Sequence, residues 1–201
     1  MLLYYTPGAC SLAPHIVLYE AGIAHELKKV DLRSKQIEGG GNFLEVNSKG
    51  YVPALRLDSG EVLTEGPAIL QYLADQRPQA GLLAAPGSLE RYRAIEWLNF
   101  IATEIHKPFG VQFNPTAAAE WRAGTLAALK QRLAWTNGQL EKRSYVAGER
   151  FSIADAYLFV MLTWAPHVGL DLAPWSALGA YVKRVSGRPL VIEALRAEGL
   201  Q

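Results

Sequence analysis

A chain of 201 residues, half of them hydrophobic, is long enough to bury one or two substantial cores, and 20 basic against 19 acidic residues leave a formal charge of +1. No basic block or aromatic–basic interleaving marks a nucleic-acid surface, and no apolar run approaches the length of a membrane span. The single cysteine excludes an internal disulfide, and the scattered histidines His15, His25, His106 and His167 have no ligand spacing, so no metal is expected. The N-terminus lacks a basic segment leading into a long apolar core, and the expected location is the cytoplasm.

The first strand is Leu2–Tyr5, followed by the turn Thr6-Pro7-Gly8-Ala9, then Cys10, Ser11 and a helical stretch to Glu20 that stops at Ala21-Gly22. Such a join sets the Cys10 thiol beside free backbone N–H groups and the positive end of a helix dipole, which favours thiolate, the reactive form. A small buried hydrophobe is the alternative reading of this residue. His25–Val30 alternates as a second strand, and the glycine turn Gly39-Gly40-Gly41 interrupts the polar stretch beyond it. Val52–Leu57 and Glu61–Thr64 read as two strands joined at Asp58-Ser59-Gly60, and Pro67–Asp75 as a helix with proline in its first turn. The order β-α-β-(loop or helix)-β-β-α implies a small mixed sheet flanked by helices.

Beyond the linker-like segment Pro78–Gly87 the strand signals vanish. Leu89 to Phe113 reads as one long helical stretch, bent or broken near Pro108. Ala117–Lys142 follows, with Leu126, Leu129, Leu133 and Leu140 on one face. Ser152-Ile153-Ala154-Asp155 is a capping box, aspartate replacing glutamate, that opens a helix through Trp164. Trp175–Ser186 and Pro189–Glu198 complete the chain, and Trp97, Trp121 and Trp135 fit helix packing. The expected division is residues 1–80 for the α/β domain, 81–87 for a linker and 88–201 for an all-helical domain.

Proline at the start of an inner strand cannot donate to a ladder, so Val52-Pro53 demands a reason. A cis Val-Pro bond here is characteristic of the thioredoxin fold; an ordinary trans turn is the alternative. Thioredoxin-like redox sites use Cys-x-x-Cys, but Ala13 stands at the second position. Intramolecular dithiol exchange is thereby excluded, while a monothiol reaction with an outside thiol is not.

Tyr5 with Cys10-Ser11, Lys49-Gly50-Tyr51-Val52-Pro53-Ala54-Leu55, Leu63-Thr64-Glu65-Gly66-Pro67-Ala68-Ile69 with Tyr72-Leu73, Asn99, His106-Lys107 and Ser152–Asp155 stand in a telling order. Together they resemble the glutathione S-transferases over nearly the whole chain, and the bacterial beta class in particular. Pro67 replaces the small aliphatic residue frequent in relatives, and Ser48 a common proline. The resemblance implies the glutathione transferase fold: a thioredoxin-like α/β N-terminal domain followed by an all-α helical bundle. It implies a homodimeric, cytoplasmic detoxification enzyme that conjugates glutathione, its co-substrate, to small hydrophobic electrophiles without a bound cofactor or metal. Cys10-dependent thiol-transferase or peroxidase activity is an expected side reaction. Two other readings stand beside it: a monothiol reductase working through a Cys10–glutathione mixed disulfide, and a non-catalytic carrier of hydrophobic ligands.

Glutathione carries two carboxylates, an ammonium and a thiol, and each needs a partner. Glu65-Gly66-Pro67 is a helix N-terminus, whose free N–H groups suit a carboxylate. The resemblance implies that Gly66 takes the γ-glutamyl carboxylate and Glu65 the ammonium; stabilising the helix dipole is the alternative task for Glu65. Val52, preceding Pro53, would pair its backbone with the cysteinyl unit like an added strand, and Tyr51 would line the same groove. Lys35 and Lys107 are the candidates for the glycyl carboxylate, Lys107 preferred because Lys35 lies in an unplaced loop. Asn99 and Glu104 would come from the helical domain, of the same or a neighbouring subunit. Cys10 and His106 form the implied chemical pair, the histidine bonding a thiolate or helping to deprotonate a thiol. Tyr5 ranks second, and Ser11 is a further donor unless it only caps its helix. Phe109, Phe113, Trp164 and His167 suggest an apolar cleft and fit an ordinary core equally.

Overall fold

The computed structural model describes residues 1–201. Leu2–Tyr5 forms β1 at the centre of a four-stranded sheet, with Leu3 and Tyr4 both buried, which explains the unbroken apolar run. It pairs in parallel with β2 (Glu26–Lys29) and antiparallel with β3 (Ala54–Arg56), which pairs antiparallel with β4 (Val62–Thr64), in the order β2-β1-β3-β4. The charged residues of β2 suit an edge strand.

Helix α1 (Leu12–Glu20) is buried continuously from Leu12 to Leu18 because it is covered on several sides, by α3 (Gly66–Gln76) and by the last helix of the chain among others. It ends in a Schellman-type turn: Gly22 sits at φ +62°, its N–H bonds Tyr19 O, and the Ile23 N–H bonds Leu18 O. The segment that the sequence left as loop or helix holds one turn, α2 (Phe43–Val46), capped by Asn42 accepting from the Leu44 N–H at 3.0 Å. Phe43 packs with Tyr4, Val30, Val52 and Ala54.

The chain divides into two compact units, Met1–Ala84 with Arg188–Gln201, and Ala85–Gly187. This differs from the expected helical domain 88–201, because α9 (Pro189–Ala197) packs against α1. Its buried face is Val191, Ala194 and Leu195, and the Arg188 guanidinium donates two bonds of 2.7 Å to the Glu20 carboxylate. A helix-type pattern says nothing about which core a terminal helix joins.

The second unit is helical throughout. Its centre is α7 (Ile153–Thr163), buried at every position from Ile153 to Leu162. Asp155 holds its start: the carboxylate accepts from the Ser152 N–H (2.9 Å), the Ser152 hydroxyl (2.6 Å), the Val146 N–H (2.9 Å) and the Tyr181 hydroxyl (3.1 Å). The remaining elements are α4 (Leu89–Phe100), α5 (Lys107–Phe113), α6 (Ala119–Leu140) and α8 (Ser176–Ser186). Residues Ile101–His106 continue α4 into α5 as a wide π-type stretch where a bend or break was expected. Pro108 has no N–H and its ring crowds the carbonyl four residues back, that of Glu104, so the preceding turn widens. Trp97 is core and Trp135, though half-exposed, packs on it as expected, whereas Trp121 is half-exposed, contrary to the packing expected of it. Trp135 lies at the surface with its ring 5.3 Å from Trp97 and 4.9 Å from Phe100. No helix is long and apolar enough to cross a membrane.

Candidate active site

The Cys10 turn is fastened from three directions. Thr6 Oγ1 donates to Val30 O at 2.7 Å, and the Ser11 hydroxyl accepts from the Thr6 N–H (3.1 Å) while donating to Thr6 O (3.3 Å). The Gly8 N–H donates to Glu198 Oε2 at 2.9 Å, and Glu198 Oε1 lies 2.8 Å from His15 Nδ1, both side chains being fully buried. Gly8 has φ +70°, a conformation glycine adopts without strain. Ser11 is itself fully buried, precedes α1 without bonding its N-terminal N–H groups, and is spent on Thr6. It is therefore neither the free donor nor the side-chain cap expected of it.

Cys10 Sγ donates to Val52 O at 3.2 Å. Burial of the sulfur pushes the thiol up to about 12, outweighing the backbone N–H groups of Cys10 and Ser11 that favour the anion. The N–H groups at the turn do not make Cys10 a resident thiolate, contrary to expectation, because desolvation is the larger effect. Cys10 in the free protein is a neutral hydrogen-bond donor. Tyr5 is no readier to ionise: burial first, then the charges of Glu198 and Glu38, raise its phenol.

Beside the thiol, the Val52-Pro53 bond is cis. The Val52 carbonyl is taken by Cys10, whereas its N–H finds no acceptor in the protein. Asn47 Nδ2 donates to Tyr51 O (2.7 Å) and Lys35 Nζ to Gly50 O (3.0 Å), so both residues hold the segment that presents Val52. The Tyr51 side chain is exposed. Lys35 thus lies against the segment that precedes Val52. Lys107 is an exposed residue of the second unit.

Glu65 precedes α3 with φ +70° and ψ 115°, a conformation a non-glycine residue adopts at a cost of about 1–3 kcal/mol. Its exposed carboxylate pairs with Lys49 Nζ. Ala68 and Ile69 both bond Glu65 O, while the Gly66 N–H points to no protein acceptor and Pro67 has none to offer. The result is a helix terminus open to an anion, with a carboxylate alongside for a cation. The Glu65 charge also reaches Cys10, adding a small upward push on the thiol.

In the second unit His106 ends the π-type stretch, its Nδ1 2.6 Å from the Tyr157 hydroxyl and its ring edge-on to Trp164 at 5.1 Å. Burial, and then the Lys107 charge, push it down to about 4. It is neutral at physiological pH and a weaker base than an ordinary histidine. Glu104 bonds Arg132 Nε at 2.8 Å, and exposed Asn99 turns its amide back to Ile95 O at 2.9 Å. Phe113 is half-exposed with its ring 5.5 Å from Trp164, and His167 is exposed, but Phe109 is fully buried and belongs to the core. The sequence offered no hint of Tyr157, hidden in an apolar run, nor of Glu198, whose partners lie at the other end of the chain. Lys49 and Asn47 stand within or beside the Val-Pro motif, but their partners Glu65 and Tyr51 O are set by the fold. No cluster of His, Cys, Asp or Glu is placed to hold a metal.

A thiol in the turn after the first strand, a cis proline beside it and a helix terminus with a free N–H define a thioredoxin-like module, joined to a helical unit. Family models for the glutathione S-transferase N-terminal and C-terminal domains match residues 8–76 and 100–189. The chain is 49% identical over 201 residues to glutathione S-transferase GstA of Escherichia coli O157:H7, covering all of both chains. A sphingomonad glutathione S-transferase solved with glutathione is 51% identical at a TM-score of 0.96, over the full length of both. The bacterial beta-class enzyme of Sphingomonas chungbukensis is 50% identical at a TM-score of 0.97, again with complete coverage. The chain belongs to the glutathione S-transferase family, with the bacterial beta-class pattern; it is an enzyme, and glutathione is its co-substrate.

Proposed function

We propose that this enzyme transfers the glutathione sulfur to small hydrophobic electrophiles, using the Cys10–Val52 corner as the cradle for the thiol. The observation that carries the reading is the pairing of a neutral Cys10 donor on Val52 O with an unmatched Val52 N–H. The cysteinyl unit of glutathione pairs with Val52 beside Pro53 and Tyr51. Its γ-glutamyl carboxylate takes the Gly66 N–H, and Glu65 exchanges Lys49 for the ammonium. Lys35 holds the glycyl carboxylate, with Lys107 as the alternative. Cys10 turns its S–H from Val52 O toward the bound sulfur and stabilises the thiolate as a donor, without ionising. His106 acts on the same sulfur and Asn99 on the peptide, both on the strength of the resemblance. Glu104, engaged by Arg132, serves its own helices. Tyr5 and Ser11 leave the chemistry to Cys10 and His106.

In the transfer to a chlorodinitroarene, the sulfur–carbon bond forms, chloride leaves with its bonding pair, and the thiol proton passes to water. Thiolate stabilisation lowers the barrier because charge sits on sulfur as the reaction begins. A Cys10 held neutral supports conjugation over the monothiol reductase route, which needs its anion. The enzyme is read as a cytoplasmic homodimer acting in detoxification.

Replacing Cys10 with alanine separates the two routes. Conjugation is expected to persist within roughly ten- to a hundred-fold, the loss of one hydrogen bond to a charged atom, whereas reduction of glutathionylated substrates collapses. Conjugation abolished together with reduction would overturn the assignment.

A further inference from the structure

The geometry points to Tyr157 as a positioning residue: we propose that its hydroxyl donates to His106 Nδ1, locking the ring proton on Nε2 and making His106 a hydrogen-bond donor and not a base. The inference rests on the reading that His106 acts on the glutathione sulfur, and it specifies how.

Tyr157 lies on α7 amid Ile153–Leu162 and is only 3% exposed. A buried phenol tip requires a hydrogen-bond partner, and here it approaches Nδ1 to 2.6 Å. Either ring tautomer would satisfy the distance, so the direction follows from chemistry. The phenolic O–H is a stronger acid than a neutral imidazole N–H, and an imidazole sp² nitrogen is a better acceptor than a phenol oxygen. The O–H···N arrangement is therefore the stronger, and the short separation suits it. A neutral imidazole has one N–H, so acceptance at Nδ1 places the proton on Nε2.

The ring is also held in place. Tyr157 meets it edge-on at an interplanar angle of 86°, and Trp164 approaches at 68°. A second proton on the ring would have to enter at Nδ1, displacing the donation from the buried Tyr157 phenol, beside the Lys107 charge. Burial and Lys107 already disfavour the imidazolium. With Nε2 occupied by a proton, no lone pair is free to deprotonate a thiol. What the ring can do is offer an N–H to an anionic sulfur, a stabilisation greatest when the sulfur is fully charged.

The tautomer is readable without any assay. Long-range ¹H–¹⁵N correlation spectra of the ¹⁵N-histidine enzyme, with His106 assigned through His106→Asn, should report Nδ1 as an unprotonated acceptor and Nε2 as protonated at neutral pH. A protonated Nδ1 in the wild-type enzyme overturns the proposal. Tyr157→Phe should move the population toward the Nδ1–H form while thermal denaturation reports an intact fold, and an unchanged tautomer overturns it equally. In the same variant kcat for a chlorodinitroarene is expected to fall on the order of ten-fold, with KM for glutathione nearly constant. A changed tautomer with an unchanged kcat removes the donor role. Failure of the wild-type enzyme to bind glutathione in calorimetry would instead sink the functional reading, and would leave the spectrum as described.

Discussion

Cys10 stands where two backbone N–H groups favour its anion, yet the surrounding side chains take the sulfur out of water, and desolvation prevails. The thiol donates to Val52 O as a neutral group should. Because the shift is upward, the thiolate fraction at neutral pH falls below that of a free cysteine. Alkylation of Cys10 by iodoacetamide in the ligand-free enzyme should be slower than that of a small-molecule thiol at neutral pH. It should still be climbing as the pH passes 9.0, the ordinary thiol value. A rate that levels off near neutrality would contradict this account. His106 follows the same rule with opposite sign: burial, and then the Lys107 charge, disfavour its cation.

Helix α7 is held at its start by a single carboxylate. Asp155 is buried completely, and desolvation raises it to about 6 against an ordinary 3.8. A raised folded-state value means that the folded protein binds this proton more tightly than the unfolded chain. Its contribution to stability is therefore full below the unfolded value and is lost as pH rises through about 6. Even so, the carboxylate answers donors from Ser152, Val146 and Tyr181 that have nowhere else to turn. Asp155→Ala strands them and should cost roughly 3 kcal/mol or more in urea denaturation at neutral pH, beyond the ~1 kcal/mol of an ordinary cap. A loss below the ordinary cap value would show that the carboxylate's three-way bonding carries no weight. The π-type stretch before Pro108 has a comparable local cause, and it ends on His106.

The thiol-bearing unit is closed by residues from the far end of the chain. Glu198 joins the buried His15 to the Gly8 N–H, and Arg188 grips Glu20 through Nε and Nη2. Glu198→Ala would remove the carboxylate that the Gly8 N–H and His15 Nδ1 both bond, beside a buried His15 Nε2 that has no hydrogen-bond partner. We expect a loss of about 3 kcal/mol in thermal or urea unfolding, with reduced conjugation from a loosened Cys10 turn. A variant as stable as the parent would show that the C-terminal segment does not fasten this turn.

Strand and helix order, the capping box and the motif series from Tyr5 to Asp155 are all local patterns, set by side-chain spacing and turn chemistry, and the sequence by itself determined them and with them the family. It also marked the segments proposed to meet glutathione, because Val52-Pro53 and Glu65-Gly66 occur as contiguous pairs. Only the tertiary structure decided that Cys10 and His106 are neutral, that Lys35 lies against Gly50, and that the last helix belongs with the first unit. Those outcomes depend on partners 42, 51 and 190 residues apart, for Cys10–Val52, His106–Tyr157 and Gly8–Glu198 respectively. Protonation and anchoring are set by burial and by neighbours in space, and neither leaves a periodic trace along the chain.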